Sequence, residues 1–132
     1  MTTKKEITKA KVFVIDDSEF SRASIAEMLD SHPFISIVGE ASSAEEAIKI
    51  IGEKKPNIAI VDVVMPEISG IDLARSISKS MTDVSIIMIS SLAQEHVVID
   101  AISAGAVDFL QKPFSKEDLV SAIEKITQNE VI

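Results

Sequence analysis

The sequence predicts an α/β fold in which five helices cover both faces of a five-stranded parallel sheet. Five short apolar runs alternate along the chain with five segments whose apolar residues recur at helical spacing. The runs are mostly apolar at consecutive positions, which is typical of strands buried on both faces of a parallel sheet. Because strands that alternate with helices pair through right-handed crossovers, we expect one doubly wound domain.

The first strand, helix and second strand follow from the opening of the chain. An apolar run at residues 11–15 predicts a buried strand that ends at two aspartates. A helix is expected from about residue 18 to residue 30, because its apolar residues lie on one face. Pro33 ends this helix, and a weaker apolar run at residues 34–39 predicts the second strand.

The second helix and the third strand have clearer signals. Ser43 and Glu46 match a capping box at the start of a helix whose end is marked by Gly52 and Pro56. Its predicted apolar stripe consists of Ala47, Ile48 and Ile51. Residues 58–61 (IAIV) then form an apolar run after the turn signal Pro56-Asn57, which predicts a central buried strand that ends at the carboxylate of Asp62.

The third helix, fourth strand and fourth helix are predicted at residues 70–80, 84–89 and 93–104. Ser91 begins a second capping-box pattern, so we expect it to cap the fourth helix. The inner face of this helix is predicted to consist of Val97, Val98, Ala101 and Ile102. Gly105 follows the helix at the position where a left-handed residue commonly ends one.

The last strand is predicted at residues 107–110, and Ser115 is the expected N-cap of the last helix. About five residues follow that helix, and no linker or repeat interrupts the chain. We therefore divide the sequence into a short polar N-terminal tail, residues 1–10, and one domain, residues 11–132.

The composition favours a soluble domain of the cytoplasm. The chain has 132 residues, enough for a hydrophobic core, and carries 21 acidic and 13 basic residues for a net charge of −8. This charge argues against binding to nucleic acid or to an anionic membrane surface. No cysteine is present, no apolar run approaches the roughly 20 residues of a membrane span, and the polar tail lacks the apolar core of a signal peptide. A monomer is the default expectation.

Polar side chains follow four of the five predicted strands: Asp16 and Asp17, Asp62, Ser90, and Lys112. The carboxyl ends of parallel strands share one edge, so these groups converge there. Three clustered carboxylates repel one another unless a cation joins them, and the lack of nearby histidine or cysteine favours Mg²⁺. A lysine and a hydroxyl beside them could hold phosphoryl oxygens, which indicates phosphoryl transfer to a carboxylate nucleophile.

Together these motifs resemble the receiver domain of two-component response regulators. The resemblance is carried by residues 15–17 (IDD), 62–70 (DVVMPEISG), 89–91 (ISS) and 108–114 (DFLQKPF), and it extends from residue 11 to about residue 127. The segment leading to the last motif resembles the single-domain chemotaxis regulators of that family. The resemblance implies a flavodoxin-like fold with strand order 2-1-3-4-5, and identifies the domain as a receiver domain.

The resemblance also implies a role for each polar residue at the sheet edge. Asp62 would accept a phosphoryl group from a phosphohistidine of a histidine kinase. Mg²⁺ would be held by Asp16, Asp17, Asp62 and the backbone carbonyl of Val64, and Lys112 would pair with the phosphoryl group. The protein would then be a binding module that catalyses only its own phosphorylation and dephosphorylation.

A switch is implied as well. Ser90 would swing to hydrogen-bond the phosphoryl group, and Phe109 would move into the vacated space. The output face would be the fourth helix, fifth strand and fifth helix, and its partner the flagellar motor switch, with a phosphatase as a possible further partner. Three positions depart from the commoner family residues: Ser90 replaces threonine, Phe109 replaces tyrosine, and apolar Val64 replaces a polar residue. The last change predicts slow autodephosphorylation.

Other interpretations remain open. Asp16 or Asp17 alone could cap the first helix, Lys112 could be an ordinary surface lysine, and Phe109 a core aromatic. The chain could be a receiver cut from a larger regulator, such as a chemotaxis methylesterase or a DNA-binding factor, although few residues follow the last helix. An aspartate-nucleophile phosphohydrolase is less favoured, because it would need a second carboxylate at position 64.

Overall fold

The computed structural model of the chain describes residues 9–128 and contains five parallel strands and five helices. The strands are β1 (Ala10–Ile15), β2 (Ile35–Ala41), β3 (Ile58–Asp62), β4 (Ser85–Ser90) and β5 (Ala106–Gln111). The helices are α1 (Glu19–Leu29), α2 (Ala44–Lys54), α3 (Gly70–Ser80), α4 (Glu95–Ser103) and α5 (Lys116–Gln128). The strand order is β2-β1-β3-β4-β5 and every pair is parallel, so the predicted fold class and order are confirmed.

The sheet separates two hydrophobic cores. Ala59 and Val61 of β3 belong to the core shared with α2, α3 and α4, whereas Ile58 and Ile60 belong to the core shared with α1 and α5. All five residues of β3 are buried. This two-sided burial explains why residues 58–61 are apolar at consecutive positions rather than at every second one.

The second helix differs from the prediction in its inner face. It ends at Lys54, between the predicted markers Gly52 and Pro56, and Lys55 follows in a left-handed conformation with φ 47°. Ile48 was predicted to face the core but is 54% exposed. The buried face is formed by Ala44, Ala47 and Ile51. Ile48 lies beside this face on the helix surface and is exposed to solvent.

The fourth helix also starts later than predicted. It begins at Glu95, and the residue at its N-cap, Gln94, makes no side-chain capping bond, so the predicted cap at Ser91 is wrong. Val97 and Ala101 form its buried face, and Ile102, predicted to face inward, is 49% exposed. The helix is only nine residues long, so its buried stripe is narrow.

Other local predictions are confirmed. Gly105 follows α4 with φ 113°, and Ser115 exchanges hydrogen bonds with Asp118 at the start of α5. Ser18, rather than an aspartate, caps α1. Residues 1–8 of the predicted tail lie outside the described residues, and within residues 9–128 no helix is long and apolar enough to cross a membrane.

Candidate functional site

The carboxyl edge of the sheet brings three carboxylates together. Ile15 of β1 pairs with Val61 of β3, so the next residues of the two strands, Asp16 and Asp62, stand side by side. With Asp17 they form a cluster whose ligand oxygens all lie within 4.8 Å of one another. Asp16 is fully buried, Asp62 is 7% exposed, and Asp17 is exposed to solvent. The predicted convergence of the three aspartates is therefore present.

Protein donors hold the Asp16 carboxylate from several directions. Its Oδ1 accepts the backbone N–H of Ser18 at 2.9 Å. Its Oδ2 accepts the Ser21 hydroxyl at 2.6 Å and the Lys112 ammonium at 2.7 Å. Burial raises the pKa of Asp16, but the hydrogen bonds from Lys112, Ser21 and Ser18 outweigh it, so the pKa lies below its usual value. Asp16 is a stable anion within the protein.

The Asp62 carboxylate has much weaker support. Its Oδ1 accepts one long hydrogen bond, 3.4 Å, from the backbone N–H of Val64, and its Oδ2 lies 3.6 Å from the Lys112 ammonium. Burial, together with repulsion from Asp16, raises the pKa of Asp62 to about 6, against the opposing attraction of Lys112. A carboxylate of this kind is still mostly ionised at neutral pH, but it is more basic than an exposed aspartate.

Lys112 is held beside both carboxylates by the sheet. Its backbone N–H donates to the carbonyl of Ser90 at 2.8 Å, which extends the pairing of β5 with β4 by one residue. The peptide bond to Pro113 is cis. The Lys112 side chain is 25% exposed, and its ammonium reaches Asp16 and Asp62 across the edge. Lys112 is therefore an element of the site and not an ordinary surface lysine.

The loop between β3 and α3 places the Asp62 side chain. Gly70 donates its backbone N–H to Val63 at 2.9 Å, and a Cβ at position 70 would overlap the carbonyl oxygen of Asp62. Only glycine permits this close approach. Within the same loop Glu67 has φ 67°, a left-handed conformation that is uncommon outside glycine. The loop is thus tightly constrained next to the Asp62 carboxylate.

The other predicted site residues lie along the same edge. Ser90 is fully buried at the end of β4, and its hydroxyl accepts the backbone N–H of Leu92 at 3.0 Å. The Val64 side chain is 52% exposed. Phe109 lies on β5 opposite Met88, partly buried against the core that α2, α3 and α4 share. Val64 and Ser90 therefore lie at the ends of the strands that carry or neighbour Asp62, whereas Phe109 packs against the core and is not a member of the carboxylate cluster.

Sequence reasoning missed the residues that support Asp16. Ser21 and Arg22 lie in the first two turns of α1, and Glu40 lies on β2. The Arg22 guanidinium donates to the backbone carbonyl of Asp16 at 2.7 Å and pairs with Glu40 at 3.0 Å. The helical spacing places Ser21 and Arg22 one turn after the aspartates, but nothing in that spacing says which way their side chains turn.

The composition of the cluster fits a hard divalent cation. The three aspartates offer only oxygen ligands, and one ammonium against three carboxylates leaves two uncompensated negative charges. Burial, together with repulsion from Asp16, raises the pKa of Asp62, and a bound cation would oppose both effects by favouring the ionised carboxylate. Magnesium prefers carboxylate oxygens and does not require histidine or cysteine. The residues present therefore suit Mg²⁺.

The chain is similar to proteins of one signalling family. Residues 12–124 match the family model described as response regulator receiver domain. The chain is 36% identical over 118 residues to the chemotaxis protein CheY of Thermotoga maritima, with 89% of this chain and 98% of that protein covered. It is 32% identical over 116 residues to the DNA-binding transcriptional activator DevR/DosR of Mycobacterium tuberculosis, with 88% of this chain and 54% of that protein covered. The response regulator domain of Thermotoga maritima CheB superimposes with a TM-score of 0.82 at 32% identity, covering 92% of this chain and 97% of that one.

Proposed function

The chain belongs to the response regulator receiver domain family, and we propose that it is a phosphorylation-activated response regulator of a two-component system. In this proposal a histidine kinase donates a phosphoryl group to Asp62. The observation that carries it is the position of the Asp62 carboxylate, which lies at the sheet edge within an oxygen-only acidic cluster and 3.6 Å from the Lys112 ammonium. The phosphorylated form then binds a partner.

The transfer itself needs a basic carboxylate and a place for the phosphoryl oxygens. An Asp62 oxygen attacks the phosphorus of the phosphohistidine, a P–O bond forms as the P–N bond breaks, and the histidine nitrogen keeps the electron pair. The raised pKa of Asp62, caused first by burial, makes its oxygens better nucleophiles than those of an exposed aspartate. Lys112, which already reaches Asp62, is placed to hold one phosphoryl oxygen.

Mg²⁺ is the proposed cofactor. Asp16, Asp17, Asp62 and the backbone carbonyl of Val64 would hold it, and when bound it would neutralise charge on the phosphoryl oxygens during transfer. Asp17 is the exposed member of the cluster and gives the ion access from solvent. Asp16, already bonded to Ser18, Ser21 and Lys112, supplies a fixed negative charge behind it.

The proposed switch links Ser90 to the output face. The Ser90 hydroxyl, now bonded to the N–H of Leu92, would rotate to donate to a phosphoryl oxygen. Phe109 would then move into the vacated space, carrying the change to α4, β5 and α5. This face carries exposed apolar side chains, since Ile102 of α4 is 49% exposed and Val107 of β5 is 57% exposed. Such side chains suit a surface that binds a partner.

The proposed pathway is chemotaxis, with the flagellar motor switch as the partner of the phosphorylated form and a phosphatase as a possible further one. The similarity to a chemotaxis protein over 98% of that protein's length supports this. The net charge of −8 disfavours nucleic acid and anionic membranes as partners. We place the protein in the cytoplasm as a monomer that catalyses only its own phosphorylation and dephosphorylation.

A receiver that works within a larger regulator is the second candidate. The similarity to DevR/DosR, of which the chain covers 54%, favours it. Phosphorylation-dependent binding to a purified motor switch protein would select the chemotaxis function, and binding only to a DNA-binding or methylesterase output domain would select this one. An aspartate-nucleophile phosphohydrolase is disfavoured, because the position two residues after Asp62 carries the apolar Val64 instead of a second carboxylate.

The central proposal is tested by intact-mass measurement after incubation with acetyl phosphate and Mg²⁺. The wild type should gain one phosphoryl group, and Asp62→Asn should gain none. Asp72→Asn is the matched control, because Asp72 lies on the exposed side of α3 in a pair with Arg75 and should not alter the reaction. EDTA should abolish the adduct in all variants. A phosphoryl group that persists in Asp62→Asn would move the acceptor elsewhere, and no adduct on the wild type would contradict the proposed chemistry.

A further inference from the structure

We propose that Arg22 is a positioning residue of the metal site, and that Glu40 holds it in place. Within residues 9–128, Arg22 makes no hydrogen bond or ion pair with the carboxylates of the site. It acts instead on the backbone that joins the first two of them. This inference rests on the proposed Mg²⁺ site and adds two residues to it, one on α1 and one on β2.

The geometry links three elements through one guanidinium. The Arg22 side chain is only 17% exposed, and its Nη1 donates to the carbonyl oxygen of Asp16 at 2.7 Å. Its Nε donates to Oε1 of Glu40 at 3.0 Å. Because a guanidinium is planar, its N–H groups point in fixed directions, so these two bonds define where the group lies. Glu40 thus orients the guanidinium group that donates to the Asp16 carbonyl.

The bonded carbonyl belongs to the peptide unit between Asp16 and Asp17. A peptide unit is planar, so fixing its oxygen also fixes the nitrogen and Cα of Asp17. On the other side of Asp16, its backbone N–H donates to the carbonyl of Ala41 at 3.1 Å. Both peptide units around Asp16 are therefore held. The Asp17 side chain is exposed, so its place in the 4.8 Å cluster depends mainly on the backbone below it.

Charge and positioning predict opposite effects on metal binding. A guanidinium near the cluster repels a divalent cation, so an Arg22 that acted only by its charge would weaken Mg²⁺ binding, and its removal would strengthen it. An Arg22 that positions Asp17 strengthens binding, so its removal weakens it. The neighbouring carboxylate of Glu40 also offsets much of the positive charge. The direction of the change in Mg²⁺ affinity therefore separates the two roles.

The experiment is a Mg²⁺ titration of the purified chain, followed by the backbone amide signals in ¹H–¹⁵N spectra, with the Asp17 amide as the local reporter. Arg22→Met removes both hydrogen bonds and the charge, whereas Arg22→Lys keeps the charge and loses the planar fork. Both should raise the Mg²⁺ Kd, by about tenfold for Arg22→Met, as is common for groups that orient metal ligands. Arg75→Met is the matched control, since Arg75 makes an exposed 3.0 Å pair with Asp72 on α3, and it should leave the Kd unchanged.

Unfolding of each variant is measured in EDTA as well, to separate stability from affinity. A lower stability with an unchanged or tighter Kd would show a purely structural role and overturn the inference. If Arg22→Met does not fold, Arg22→Lys decides by the same criterion. A wild type that binds no Mg²⁺ would defeat the proposed metal site and this inference together, whereas an unchanged Kd in the variants would defeat this inference alone.

Discussion

The two carboxylates at the centre of the site, Asp16 and Asp62, are neighbours in very different surroundings. Asp16, at the end of β1, accepts short hydrogen bonds from Ser18, Ser21 and Lys112. Asp62, at the end of β3, has one bond of 3.4 Å and an ammonium at 3.6 Å. Burial raises the pKa of both, but only Asp16 has donors enough to reverse the effect.

The difference shows how one sheet edge holds a well-compensated anion beside a poorly compensated one. Burial without matching donors leaves the Asp62 charge poorly compensated, and the fixed charge of Asp16 adds to the repulsion. Such a group gains from any positive or electrophilic partner, whether a metal ion or a phosphorus atom. Removing a donor to Asp16 is therefore expected to destabilise the protein, whereas removing the Asp62 charge is expected to stabilise its metal-free form.

A substitution that displaces the backbone around Asp62 should have the largest effect on the free energy of unfolding. In Gly70→Ala the new methyl group would overlap the Asp62 carbonyl, so the loop after β3 has to move. We expect the free energy of unfolding to fall by about 3 kcal/mol or more, measured by urea denaturation. Gly52→Ala is the control, because its Cβ would meet only a Met81 methyl carbon at 4.0 Å within a helix, and it should be neutral or slightly stabilising. Equal stabilities of the two variants would contradict the close-packed loop.

Removing the Asp62 charge should stabilise the metal-free protein. In Asp62→Asn the repulsion from Asp16 and the cost of burying a charge both disappear. The rise of the Asp62 pKa from 3.8 to about 6 corresponds to a gain of about 3 kcal/mol in the free energy of unfolding at pH 7.5 in EDTA. Urea denaturation measures it, and a variant less stable than the wild type would show that Asp62 is better compensated than its contacts indicate.

The stability of the metal-free protein should also depend on pH in a way that reports the raised pKa of Asp62. The pKa of Asp62 is raised from 3.8 to about 6 by burial and by Asp16, so between these values the folded chain binds the proton more tightly than the unfolded one. Its contribution to stability is complete below pH 3.8 and is lost as the pH rises through about 6. Stability is measured against pH for the wild type and for Asp62→Asn, both in EDTA. Subtracting the two curves removes the contributions of the other carboxylates. The difference in the free energy of unfolding should favour the variant progressively over this window, by up to about 3 kcal/mol, and a difference that does not change with pH would refute the assignment.

Removing one hydrogen bond from the Asp16 carboxylate should have a smaller effect on the free energy of unfolding. Ser21→Ala removes the 2.6 Å hydrogen bond to the Asp16 carboxylate and leaves Ser18 and Lys112 in place. We expect a loss of about 1 kcal/mol in the free energy of unfolding. Ser24→Ala, one turn further along α1, is the control and should be close to neutral. A loss as small as the control's would mean that Asp16 does not depend on this donor.

The smallest expected effect concerns the lifetime of the phosphorylated form. The apolar, 52% exposed Val64 side chain lies next to Asp62 and gives an attacking water no hydrogen-bonding partner. In Val64→Asn we expect dephosphorylation to quicken about threefold, equivalent to about 0.7 kcal/mol of activation free energy. The decay of the phosphorylated mass after removal of acetyl phosphate measures this. A lifetime that stays equal or lengthens would remove Val64 as a cause of slow autodephosphorylation.

Much of the fold could be predicted because its signals are local. The two-sided burial of β3 appears as consecutive apolar residues, and Gly105 and Ser115 mark helix ends by their own conformational and capping preferences. The same locality explains the errors at α2 and α4. Ile48 and Ile102 have the right spacing for an inner face, but how a helix lies on the sheet decides which edge of its stripe is covered.

By itself the sequence determined that an acidic cluster with a lysine stands at one edge of a parallel sheet. This followed because side chains that end parallel strands must share an edge, whatever the details of packing. Only the tertiary structure decided that Asp16 is saturated with donors while Asp62 is not, and that Arg22 and Glu40 hold the backbone between the first two aspartates. Those differences depend on side-chain directions and on distances of a few tenths of an ångström. Hydrogen bonds and desolvated charges respond strongly to such small changes, and the spacing of residues along the sequence does not encode them.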